Sequence, residues 1–145
     1  APGTPEYGPP WLGVGDTSTS NRGNFASLNV TTGKLAWKQI WEAPCYSGTM
    51  NTAAGMTWVG HLGEGNAQNG LGYLAAYDTM TGAQLCKSGL MDAPAAAAPV
   101  TYTAGGKQYV SIAVGGQSHN DVSRPLGLTN PARLRGDSIY TYVLP

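Results

Sequence analysis

Two histidines and two cysteines, with eight carboxylates, are the side chains of this 145-residue chain best suited to proton transfer, metal binding or nucleophilic attack. General acid–base work needs a carboxylate or imidazole held at the reacting atom, and Ca²⁺ needs several oxygens in one place. The carboxylates here, Glu6, Asp16, Glu42, Glu64, Asp78, Asp92, Asp121 and Asp137, are scattered without pairing. Asp78 reads as a turn residue. Asp121 and His119 stand two apart in a polar stretch where they could meet, although a solvated loop carboxylate is the commoner outcome. His61 follows the end of an apolar run and reads as a loop or surface histidine, with no second histidine near it to share a metal. Cys45 and Cys86 match no metal or haem spacing, and their even number leaves open either a disulfide or two buried thiols. No G-x-S-x-G elbow occurs, which argues against a serine hydrolase. The segment GEGNAQNGLG at 63–72 lacks the Lys-Ser/Thr end and the following helix of a phosphate loop. Asn29-Val30-Thr31 fits a glycosylation sequon but falls on a turn.

The elements that would position these groups are short strands. Residues 99–116, PVTYTAGGKQYVSIAVGG, form a hairpin pattern: two β-branched and aromatic runs split by Ala104-Gly105-Gly106-Lys107. In its second run Val110, Ile112 and Val114 alternate with Ser111 and Ala113, which predicts a strand covered more on one face than the other. Further strands are expected at 25–30, 35–41, 56–60, 72–78, 83–86 and 136–142, with a short one at 11–14 inside a loop-rich segment, 1–23. Ala-rich 93–99 is bracketed by Pro94 and Pro99 and reads as extended chain.

The strands repeat. Asn29 aligns with Asp78 and Gly33 with Gly82, each pair 49 residues apart, and TAAGMTWV at 52–59 matches TAGGKQYV at 103–110, 51 residues on. Units of about 50 residues, each with four short strands, are those of a β-propeller blade, and full rings need about four to eight blades. The expected fold is therefore all-β: a partial propeller of about two four-stranded blades plus a closing strand, over 24–145. Two blades cannot close a ring, so the remaining blades must come from the same or another chain, or be replaced by self-association. The polar excursion at 117–135 would lie on one face of the ring.

With 21 Gly and 10 Pro and only 11% charged residues, the composition suits strands and turns and not long helices. The formal net charge of +0 argues against nucleic acid or an anionic membrane surface as partner. No apolar run reaches the length of a membrane span, and APGTPEYGPP reads as a mature or cut end, not a signal peptide.

The ordered set SLNVTTGKLAW, GTMNTAAGMTWVG, YLAAYDTMTGAQL, APVTYTAGGKQYVSIAVGG and GDSIYTYVLP resembles the C-terminal end of pyrroloquinoline-quinone (PQQ) dependent dehydrogenases. These are eight-bladed propellers of the alcohol and glucose dehydrogenase group. The resemblance covers most of the chain from about Gly23 onward, and it implies a periplasmic or secreted enzyme oxidising an alcohol or sugar. Its cofactor would be PQQ, with Ca²⁺ bound by residues outside this chain. In that family the D-x-x-TG-K-x-x-W segment puts a Trp on each blade to stack on a peptide plane of the next, and Trp37 matches that position. Cys86 stands where the second such Trp would be, so one docking contact is weaker or a disulfide to Cys45 replaces it. Glucose-dehydrogenase-like members carry a His directly behind the double Gly; here Gln117 stands there and His119 follows two residues later. The resemblance thus marks Gly115, Gly116, Gln117 and His119 as the rim of the substrate or cofactor funnel. It assigns no catalytic residue and no metal ligand to this stretch.

Two functions follow as expectations. The first is the C-terminal portion, or the smaller of two chains, of a PQQ-dependent dehydrogenase, supplying ring closure and part of the funnel wall and inactive by itself. The second is a non-catalytic propeller used as a scaffold or binding module.

Overall fold

The computed structural model describes residues 23–43, 45–63, 71–115 and 137–144. The short strand expected at 11–14 and the excursion at 117–135 lie outside them. Among the described residues every regular element is a strand, and no helix is long and apolar enough to cross a membrane.

The strands are β1 (Gly23–Asn29), β2 (Lys34–Trp41), β3 (Thr49–Asn51), β4 (Met56–His61), β5 (Tyr73–Asp78), β6 (Gln84–Lys87), β7 (Val100–Ala104), β8 (Lys107–Gly115) and β9 (Asp137–Val143). The nine strands among the described residues are the number that two four-stranded units and a closing strand contain. They are dealt into three antiparallel sheets of two, four and three strands, ordered β1-β2, β3-β4-β5-β6 and β7-β8-β9. Each sequence repeat therefore gives its first two strands to one sheet and its last two to the next. The complete blade is the middle sheet, built from the end of one repeat and the start of the following one.

Turn chemistry fixes the repeat locally. Asn29 Oδ1 accepts from the N–H groups of Thr31 and Thr32, each at 3.0 Å. Asp78 Oδ1 accepts likewise from Met80 and Thr81 at 3.0 and 2.7 Å. In both turns the glycine four residues on donates its N–H to the carbonyl of the Asx residue at 2.8 Å. Side-chain oxygens that bond the backbone two and three residues on are the reason Asn and Asp recur here.

The middle sheet is covered on both faces, and strict alternation assigns its residues. Trp58, Leu74 and Ala76 turn toward the third sheet and pack with Val110, Ile112 and Val114. Val59, Ala75 and Tyr77 turn toward the first sheet and pack with Phe25, Trp37 and Trp41. The linker after β6 closes the larger core with Met91, Ala93 and Ala95, all buried, so the Ala-rich stretch is extended chain as its prolines require. On β8 Val110, Ile112 and Val114 are buried and Ala113 is exposed, but Ser111, expected on the less covered face with Ala113, is buried as well.

Trp37 joins the first two sheets. Its indole N–H donates to Thr79 O at 3.0 Å, and its ring lies on Gly82, where an added Cβ would come within 2.7 Å of it. Gln39 adds a bond to the Gly82 carbonyl. This is the ring-on-peptide contact that the resemblance implies for Trp37.

The two cysteines are free. Cys45 packs in the core against the first sheet, whereas Cys86 pairs in register with Ala76, whose side chain serves the opposite core. Thiols on opposite faces of one sheet cannot meet, so no disulfide replaces the absent tryptophan at position 86.

Candidate functional site

The long connections leave the fold at one end. β4 finishes at His61 and β8 at Gly115, and the chain crosses from there to β5 and β9 through residues 62–72 and 116–136. The linker between β6 and β7 braces both exits. Ala95 donates its N–H to His61 O at 3.2 Å, Gly72 donates to Ala93 O at 2.9 Å, and Gly115 donates to Pro94 O at 3.3 Å. At the same end Ser138 Oγ donates to Asp92 Oδ2 at 2.8 Å, and the Asp92 N–H donates to the Tyr140 hydroxyl at 3.2 Å. Exposed Asp92 and half-buried Ser138 thus stand beside the exit of β8.

Gly115 is half-buried at this end and pairs with Asp137 across the ladder. Its φ of +146° is one that side-chain-bearing residues rarely adopt, which accounts for glycine at the point where β8 ends. Gly116, Gln117 and His119, with Asp121, lie outside the described residues.

His61 is not a loop or surface residue. It is the last residue of β4, 5% exposed, and sits at the seam of the first two sheets. Alternation is the signal that sequence reading passed over: Thr57, Val59 and His61 share one face of the strand, and that face meets the first sheet. The imidazole lies between Trp41 and Tyr73, with ring centroids 3.9 and 4.2 Å away. Its Nε2 is 3.0 Å from the Tyr77 hydroxyl. Burial, with a smaller contribution from the Lys87 charge, lowers the His61 pKa to about 4, so the ring is neutral near pH 7. Burial likewise pushes the Tyr77 phenol above its ordinary range, with Tyr73 and Cys45 adding to it. Lys87 Nζ stands 4.2 Å over the Tyr73 ring.

Among the described residues no three His, Cys, Asp or Glu side chains stand close enough to hold a metal ion. Asp78 is committed to its turn: bonds from the Thr81 hydroxyl and N–H, and from the Met80 N–H, hold its carboxyl below the usual range. The described residues do not supply the ligand set of a Ca²⁺ site.

Residues 19–110 match the family model described as PQQ, the β-propeller domain of glucose, ethanol and alcohol dehydrogenases. The chain belongs to this PQQ-dependent dehydrogenase family. It is 34% identical over 93 residues to methanol dehydrogenase (cytochrome c) subunit 1 of Methylorubrum extorquens, covering 64% of this chain and 13% of that protein. It is 25% identical over 135 residues to a quinoprotein ethanol dehydrogenase of Pseudomonas aeruginosa, covering 85% of this chain and 18% of that protein. The solved quinohemoprotein alcohol dehydrogenase of Comamonas testosteroni superposes with a TM-score of 0.63 at 28% identity, over 83% of this chain and 16% of that one. This member of the PQQ family thus spans less than a fifth of each of these relatives. The family match runs from before β1 into β8, across both Asx turns and the Trp37 contact.

Proposed function

We propose that this chain is the C-terminal portion, or the smaller of two chains, of a periplasmic or secreted PQQ-dependent dehydrogenase that oxidises an alcohol. In this reading PQQ and its Ca²⁺ are held by blades outside the chain. The sheets described here supply ring closure, and the end that carries Gly115 contributes to the funnel wall, with Gly116, Gln117 and His119 following it on the rim. The observation that carries the reading is the family match over 19–110, and the relatives named as methanol, ethanol and alcohol dehydrogenases favour an alcohol over a sugar.

The test is dye-linked alcohol oxidation in the presence of PQQ and Ca²⁺. The complete ring should reduce the dye with a primary alcohol, and the isolated 145 residues should not. Robust turnover by the isolated residues would overturn the division of labour. A complete, PQQ-loaded ring that oxidises no alcohol would hand the chain to the scaffold reading. Within an active ring, His119→Ala and Gln117→Ala should raise KM for the alcohol or weaken PQQ retention; a ring indifferent to both removes them from the rim.

A further inference from the structure

The seam between the first two sheets holds a phenol bonded to a neutral imidazole inside an aromatic cluster, and that bond lies within the middle sheet, apart from the Trp37 contact. Tyr77 is 3% exposed, its hydroxyl is 3.0 Å from His61 Nε2, and Trp41 and Phe25 lie with ring centroids 6.0 and 5.1 Å from its own. We propose that Tyr77 is a trap for oxidising equivalents in this region, with His61 as the base that accepts its proton.

The choice of Tyr77 among the electron-rich rings follows from where a proton can go. Losing an electron leaves a positive ring, which is costly in a buried site unless a proton departs with the electron. The Trp37 N–H is bonded to the Thr79 carbonyl and the Trp41 N–H to Gln39 Oε1, and neither amide oxygen is a base. Tyr73 carries the Lys87 ammonium over its ring, which opposes positive charge there. Tyr77 has two partners, Gln84 Oε1 at 3.4 Å and, closer at 3.0 Å, Nε2 of the His61 imidazole, which is neutral near pH 7; with the His61 proton assigned to Nδ1, Nε2 is the base. Trp41 touches both His61 and Phe25, so an electron vacancy formed on the half-buried tryptophan has a short route to the phenol.

A peroxyl-class radical from dioxygen chemistry takes one electron and becomes a peroxide anion that solvent protonates. Tyr77 loses that electron, its O–H bond breaks, and an N–H bond forms at His61 Nε2, leaving a neutral tyrosyl radical beside an imidazolium. A small-molecule thiolate returns the electron, becoming a thiyl radical that pairs with a second to give a disulfide, and the proton held at His61 Nε2 goes back to the phenol oxygen. Lys87 disfavours the imidazolium and so drives the proton home once the electron arrives.

The experiment is flash oxidation of the full-length protein by photo-excited ruthenium tris-bipyridyl with a sacrificial acceptor, read by electron paramagnetic resonance. The expected result is a tyrosyl signal with an exchangeable hydrogen-bond coupling in D₂O. Tyr77→Phe should abolish it, Tyr73→Phe should leave it, and His61→Phe should cut its yield by about tenfold or more by removing the base. A signal unchanged in Tyr77→Phe, or only tryptophan radicals in the wild type, would overturn the proposal. If Tyr77→Phe does not fold, the wild type still decides: a tyrosyl signal without the exchangeable coupling excludes a phenol bonded to an imidazole.

Discussion

Gly82 and Gly33 occupy the same place in two copies of one turn, yet they do different work. Both have positive φ, +75° and +67°. At Gly33 an added Cβ meets nothing within 4 Å, while at Gly82 it would strike the Trp37 ring at 2.7 Å. Gly33→Ala should cost about 1 kcal/mol from backbone strain alone. Gly82→Ala should cost about 2–4 kcal/mol, because overpacking against the indole adds to the strain. Denaturant unfolding of the two variants checks the difference. His61 makes the second prediction at this scale. Its folded pKa of about 4 lies below its ordinary 6.5, so the unfolded chain binds the extra proton as pH falls. Stability from its neutral burial is therefore complete above about pH 6.5 and drains away toward pH 4, by on the order of 2–3 kcal/mol. His61→Phe should flatten that part of the stability–pH curve. His61 also marks a limit of reading by motif: beside a glycine and before a polar loop it looks like loop, and only the phase of the strand puts it inside.

Elements in this fold are joined less by ladders than by single side chains that cross between sheets. Trp37 lies on Gly82 and bonds Thr79, and Gln39 bonds Gly82 as well, so one strand's contacts with one turn add to the aromatic packing that joins the first two sheets. Trp37→Ala should destabilise by about 2–4 kcal/mol. In a double-mutant cycle its effect should be strongly non-additive with Gly82→Ala, since both remove the same contact. The seam between the second and third sheets has no counterpart of that tryptophan, because exposed Cys86 stands in its register position. It relies instead on the apolar packing of Trp58, Leu74 and Ala76 against β8. Most strands, both Asx turns and the Trp37 contact were legible in the sequence, because alternation and turn chemistry act over a few residues. β3 was not. Its three residues pair with Thr57, Trp58 and Val59, and nothing in GTMN beyond that pairing calls for a strand. The grouping into sheets was also illegible, since periodicity marks where strands recur and not which neighbours share hydrogen bonds.

At the scale of the molecule, both outer sheets turn an apolar face outward. Leu28, Leu35 and Ile40 are exposed on the first sheet, and Val100, Tyr102, Ile139 and Val143 on the third, with Ile139 74% exposed. Faces of this kind need cover. The isolated 145 residues should therefore self-associate with rising concentration in sedimentation velocity runs, and Ile40→Lys with Ile139→Lys should suppress it. A monomer at all concentrations would show that these faces tolerate water.

The offset between repeat and sheet bears on how such a ring can change size. A unit that ends one blade and begins the next carries the covalent chain across a seam, so both seams between the three sheets are sewn within a unit. Duplicating or losing one unit leaves each remaining joint still sewn, and brings a matched pair of half-blades in or out together. Recombination at unit boundaries can thus add or subtract whole blades while never producing a joint held by side-chain contact alone.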